Sequence, residues 1–144
     1  MNNGQPLQEP NSPFADAIAQ AVVDLRPQVR ARRLRILHVD DDTCFLGVSK
    51  QILELEWQFE VEAATSVDEA FRKLSTEAFD AVVSDYQMPG KNGLDFLKEL
   101  RERKNRIPFV LFTGKGREEV AIKALNLGAD ALKSLMSRAP CIFL

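Results

Sequence analysis

The chain has little of what soft-metal chemistry needs. Its 144 residues hold two cysteines, Cys44 and Cys141, and a single histidine, His38. Neither cysteine stands at metal-ligand spacing from another ligand, so both are expected to be inert thiols in a reducing cytosol. No apolar run approaches the roughly 20 residues that span a bilayer. Residues 1–13 lack the apolar core of a signal peptide, so a cytoplasmic protein is expected, with no membrane partner. A strong charge of either sign is also missing. The net charge of −2 gives no reason to expect a nucleic-acid partner. What is present is 45% hydrophobic and 28% charged residues, the balance of a soluble globular chain. Its length suffices for one domain with a real core.

Residues 1–13 are rich in Asn, Gln, Pro and Gly and are expected to be disordered, because they bury too little apolar surface to offset the entropy of ordering. Residues 14–33 predict a short amphipathic helix and a basic linker. Ser12-Pro13 suits a helix start, Phe14, Ile18, Val22 and Leu25 recur at helical spacing, and Pro27 ends the segment. Arg26, Arg30, Arg32, Arg33 and Arg35 lead into the next element. A solvated linker is the expectation; a docking patch for an acidic partner is the alternative.

From Leu34 onward, strand and helix patterns alternate. Strands are predicted over about 34–39, 59–64, 80–85 and 108–112, and helices over about 43–57, 93–104 and 117–127. A further helix follows Ser66, with Glu69 completing a capping box and Ala70, Phe71 and Leu74 inward. Gly128 suits the C-terminal cap of the last helix. The runs 81–83 and 109–112 are continuously apolar, as in strands covered on both faces. Repeated β-α units with right-handed crossovers make a parallel, three-layer α/β sheet.

Three of the apolar runs stop at carboxylates or a hydroxyl: Asp40-Asp41-Asp42, Asp85 and Thr113. One Asp after a strand is ordinarily a turn residue or a cap. Several at strand ends in β-α order point to a shared site, since ligands of such sheets gather beyond the carboxyl ends of the strands. Carboxylates that close repel one another, and Mg²⁺ removes the conflict while accepting phosphate oxygens. A carboxylate beside the metal can then attack phosphorus and form an acyl phosphate.

These stretches resemble the receiver domain of two-component response regulators. The matching residues are Ile36 to Asp42, Asp80 to Gly90 with its D-x-x-M-P-G segment, Gly93 to Leu97, Pro108 to Thr113 and Ala124 to Asp130. The likeness runs from about Leu34 to Asp130, and 34–138 is taken as the receiver domain. It implies a flavodoxin-like, doubly wound sheet in the order 2-1-3-4-5. It also implies that Asp85 is the phosphoacceptor, that Asp41 ligates Mg²⁺ directly, that Asp40 helps through water and that the Gln87 backbone carbonyl is a further ligand. Thr113 matches the hydroxyl that binds the phosphoryl group. The phosphoryl donor would be a phosphohistidine on a sensor histidine kinase, and the phosphorylated state would bias a two-state surface near the fourth and fifth strands. The domain would act as a stand-alone switch on an unidentified protein partner, and not as an enzyme beyond self-phosphorylation and slow self-hydrolysis.

The resemblance weakens toward the C-terminus. Receivers carry a lysine that pairs with the phosphoryl group, which would fall near position 135. Leu135 stands there, Lys133 is nearest, and Leu132 takes the place of an expected aromatic residue. Either Lys133 comes into register or the domain lacks the lysine. Ser134 to Leu144, interrupted by Pro140, is too short for the usual fifth helix, and 139–144 is an apolar tail. The sheet face left bare would be covered by the helix at 14–26 or by Cys141 to Leu144, or would dimerise through 14–26.

Two other functions compete. Asp40-Asp41-Asp42 contains the D-x-D of aspartate-nucleophile phosphatases of the haloacid dehalogenase type, although Cys44 stands where that motif has Thr or Val. A degenerate receiver that only binds partners is the third reading. His38 is expected to be a packed strand histidine, Gly114-Lys115-Gly116 a turn, and Trp57 a partly buried packing residue.

Overall fold

Five parallel strands make one sheet: β1 (Arg35–Val39), β2 (Glu60–Ala64), β3 (Ala81–Asp85), β4 (Phe109–Thr113) and β5 (Ala131–Ser134), in the spatial order β2-β1-β3-β4-β5. Five helices alternate with them: α1 (Pro13–Leu25), α2 (Thr43–Glu56), α3 (Val67–Thr76), α4 (Gly93–Glu102) and α5 (Glu118–Asn126). The structure, a computed structural model, describes residues 13–25, 32–113, 118–129 and 131–134, with 13, 14, 118, 121 and 131–134 described by backbone alone. The reading of residues 1–13 as disordered lies outside these residues except at Pro13, which instead opens α1; the readings of 114–116 as a turn and of 139–144 as a tail, and the missing fifth helix, lie outside them entirely. No described helix is long and apolar enough to cross a membrane.

The period-two alternation of the strands divides the core. Ile36, Val83, Val110 and Phe112 face one side, where α1 and α2 pack with Ile18, Val22, Phe45 and Leu53. Leu37, Val82, Phe109 and Leu111 face the other, under Ala70 of α3, Phe96, Leu97 and Leu100 of α4, and Val120 and Ala124 of α5. Every residue of β3 and β4 is buried, as their unbroken apolar runs require.

Caps place the helices. Asp42 accepts a hydrogen bond from the Phe45 amide at 3.0 Å and starts α2. The box expected at Ser66 is only half made: Ser66 accepts from the Glu69 amide, but Glu69 reaches back to the amide and hydroxyl of Thr65. The complete capping box belongs to α4, between Asn92 and Asp95. That helix ends at Glu102, short of the expected 104, because Lys104 turns to φ 64° and the Asn105 and Lys104 amides close onto the Leu100 and Arg101 carbonyls. Gly128, with φ 90°, closes α5 in the same way.

Helix α1 settles what covers the sheet beside α2. It packs on α2 and over β4 and β5. Ile18 and Val22 are fully buried, Ala15, Ala19 and Ala21 are buried, and Leu25 is half-buried. Trp57, itself half-buried, donates from its indole nitrogen to Asp16 at 3.3 Å. The described residues of the α1 stripe, Ile18, Val22 and Leu25, are therefore packed within their own chain.

Two of the described linker arginines, Arg32 and Arg35, are engaged rather than freely solvated, while Arg33 is exposed. Arg32 grips buried Asp80 with two hydrogen bonds of 2.8 and 2.6 Å. Arg35 pairs with Glu77 and Glu60 and lies over the Phe79 ring. These contacts fix the entry of β1 at the edge opposite the acidic residues. Cys44 is not the inert thiol expected: it is disulfide-bonded, and the other cysteine, Cys141, lies outside the described residues.

Candidate functional site

The acidic site is built where β1, β3 and β4 end. Asp40 follows β1 and is fully buried, its amide donating to the Ala64 carbonyl at 3.0 Å. One carboxylate oxygen of Asp40 accepts from the Asp42 amide at 2.9 Å, which sets its orientation. Asp41 is exposed. Asp42, by capping α2, is turned to a structural task. The three consecutive aspartates thus divide into a buried acid, an open acid and a cap.

Asp85 closes β3 and is 4% exposed. Ser84 donates to its backbone carbonyl at 3.0 Å. Its register partner across the sheet is Phe112, so Thr113, which is also buried, lies one residue further along the neighbouring strand. One carboxylate oxygen from each of Asp40, Asp41 and Asp85 lies within 4.8 Å of the others. Beside them a cleft of about 510 Å³ opens between Asp41, the run Tyr86 to Gly90, and Asn92. Gln87 sits on this rim with its side chain exposed. Lys133 is placed by backbone alone, in β5 opposite Phe112, and its side chain lies outside the described residues.

Two further residues shape the site. The Gly93 amide donates to the Tyr86 carbonyl at 2.9 Å. A Cβ on Gly93 would collide with the Asp85 carbonyl oxygen and stand 2.6 Å from Leu111 Cδ1. Only glycine lets α4 start this close beneath Asp85. Asn92 forms both the cap of α4 and a wall of the cleft. Their signal was present as Asn92-Gly93 with Asp95 at capping-box spacing, but the spacing alone reads as helix start and says nothing of closeness to Asp85.

The donor set is oxygen only, gathers three carboxylates and has one open member facing a cleft. It fits a hard divalent cation such as Mg²⁺, which Asp40, Asp41 and Asp85 would hold. A metal of softer preference would want the sulfur or imidazole donors that this cluster lacks. His38 is no part of it: the ring is buried between Phe45 and Phe112, and burial lowers its pKa to about 3, so it is neutral.

Comparison with known proteins agrees with this geometry. The sequence model of the response regulator receiver domain matches residues 36–133. The chain is 39% identical over 95 residues to the response regulator SaeR of Staphylococcus aureus (strain USA300), a match that covers 66% of this chain and 41% of that protein. The chain thus spans less than half the length of the curated relatives it matches. Among solved structures, it is similar to a CheY-like receiver domain protein of Methanospirillum hungatei JF-1, with 34% identity, a TM-score of 0.67 and coverage of 74% of this chain and 85% of that one. A receiver domain protein of Clostridium thermocellum is 29% identical with a TM-score of 0.66, covering 75% and 86%. With the 2-1-3-4-5 parallel sheet, the acids at its strand ends and a match over most of its length, the chain belongs to the response regulator receiver domain family.

Proposed function

We propose that this domain is a cytoplasmic phosphorylation switch in which Asp85 takes a phosphoryl group from the phosphohistidine of a sensor histidine kinase. The observation that carries the reading is the convergence of Asp40, Asp41 and Asp85 on one point beside an open cleft. A Mg²⁺ ion bound there would offset the negative charge that gathers on the phosphoryl oxygens. Asp85 supplies the attacking carboxylate oxygen. As its bond to phosphorus forms, the phosphorus–nitrogen bond of the donor breaks and the histidine keeps the electron pair. Asp40 and Asp41 would hold the cation, with the Gln87 carbonyl as a further ligand. Thr113 donates its hydroxyl to a phosphoryl oxygen, and Lys133 is the candidate for the pairing cation. The domain turns over no substrate beyond slow hydrolysis of its own acyl phosphate, and it signals to a protein partner.

The phosphatase alternative places the nucleophile on Asp40 and the second motif acid on Asp42. One contact speaks against it: Asp42 is committed to the Phe45 amide. Incubation with acetyl phosphate and Mg²⁺, followed by peptide mapping, tests the proposal. A phosphoryl adduct on Asp85, lost in Asp85→Asn, is expected. An adduct on Asp40 would support the phosphatase, and a folded domain with no adduct a receiver that only binds.

A further inference from the structure

We propose that the docking of α1 is coupled to the state of Asp85, so that phosphorylation loosens α1 from the sheet. The inference rests on Asp85 being the phosphoacceptor.

A continuous path of packed groups joins the two. Phe112 is the register partner of Asp85 and the chain neighbour of Thr113, and its carbonyl accepts from the Tyr86 amide at 3.0 Å. A backbone shift of Thr113 toward a phosphoryl group would carry its chain neighbour Phe112 with it. The Phe112 ring meets those of His38 and Phe45 edge-on, with centroids 5.8 and 5.9 Å apart, and the His38 and Phe45 rings are 5.6 Å apart. Phe45 belongs to the turn capped by Asp42, whose amide orients Asp40. The three rings thus form a cluster whose members on β1, β4 and α2 lie close in the chain or in register to the site residues. Phe45 and Phe112 also belong to the apolar cluster that receives Ile18, Ala19 and Val22 of α1.

Two properties favour loosening. Close-packed rings have no slack, so displacing one opens its contacts with the others. Both nitrogens of buried His38 lack a hydrogen-bond partner, and an arrangement that admits water would supply one. Among the described residues, a side-chain hydrogen bond from Trp57 to Asp16 joins α1 to the rest of the fold, alongside the apolar contacts of Ile18, Ala19 and Val22. The output of the switch is then carried in part by its N-terminal helix.

The chain's single tryptophan reports on α1 directly. The full chain is labelled with acetyl phosphate and Mg²⁺, and Trp57 emission and amide exchange in 13–25 are followed with the adduct quantified by mass. Faster exchange in α1 and a red shift of Trp57 are expected in proportion to the adduct. Phe112→Leu and His38→Phe, which keep the volume apolar, should retain the adduct and lose at least half of both responses. Full adduct with unchanged or slower exchange in α1 would overturn the coupling while leaving the phosphoacceptor assignment intact. Absence of any adduct would overturn both.

Discussion

Gly93 touches the backbone of Asp85 where no side chain fits: a Cβ at 93 would overlap the Asp85 carbonyl oxygen and press on Leu111. The start of α4 and the end of β3 are therefore positioned by a missing atom. Gly93→Ala should cost about 1–3 kcal/mol, the range for overpacking a filled core. It should also slow acyl-phosphate formation, because relief of the clash displaces Asp85. Urea unfolding together with the initial rate of acetyl phosphate labelling checks both effects. An alanine variant equal to wild type in both would show that the contact relaxes freely.

Asp42 is expected to act as a cap and not as a metal ligand. Asp42→Ala should lower stability by about 1 kcal/mol. Asp42→Asn, which keeps an accepting oxygen for the Phe45 amide, should restore most of it. Neither change should shift the Mg²⁺ midpoint as far as Asp41→Ala does. Isothermal titration with Mg²⁺ alone, beside thermal melts, separates the two roles.

Asp41 is the open member of the acid cluster. By the scale of changes around metal sites, Asp41→Ala should weaken Mg²⁺ by about 10–100-fold or more. Saturating Mg²⁺ should raise the melting temperature of the wild type, since a ligand that binds only the folded state stabilises it by mass action. Chelation with EDTA should abolish labelling and reverse the stabilisation. Melts across a Mg²⁺ series provide the readout.

His38 imposes a pH dependence whose sign is fixed. Its folded pKa of about 3 lies below the ordinary value of 6.5, so the unfolded chain binds the proton first. The stability tied to neutral His38 is complete above about pH 6.5 and falls as the pH drops from there toward 3, on the order of 1 kcal/mol per pH unit. His38→Leu removes this slope and two buried nitrogens without partners. The variant should be at least as stable as wild type at neutral pH, with the gap widening in acid. Unfolding free energies at several pH values between 4 and 8 would show a constant gap if the histidine gains a partner in the fold.

Helix α1 is expected to be integral to the domain. Ile18 is fully buried, and Ile18→Ala should cost about 2–5 kcal/mol. Deleting residues 1–30 should expose the sheet face, lower stability at least as much and promote association. Sedimentation together with denaturant midpoints measures this. A truncated chain that stays monomeric at full stability would mean that α1 is dispensable.

Much of this protein is written locally. The alternation of apolar runs and amphipathic stretches marks the strands and helices, because period two and period 3.6 arise from backbone geometry that each segment carries alone. The continuous apolar runs at 81–83 and 109–112 foretell strands buried on both faces, and the acids that end such runs point to one edge. His38 reads as a packed residue from its place inside an apolar strand. Helix ends are less legible: Lys104 looks like one more helical residue until its left-handed turn is seen.

Other features are decided between segments. Asp40, Asp41 and Asp42 are indistinguishable in sequence, and only the direction in which the chain leaves β1 makes them a buried acid, an open acid and a cap. Glu69 passes over Ser66 for Thr65 because side-chain reach depends on the path into the helix. The stripe on α1 announces that it must be buried but carries no address, since apolar attraction is not directional. Only the assembled sheet supplies the bare face beside α2 that α1 fills. Sequence thus determined which residues want burial, capping or a cation, and tertiary structure decided which of them meet.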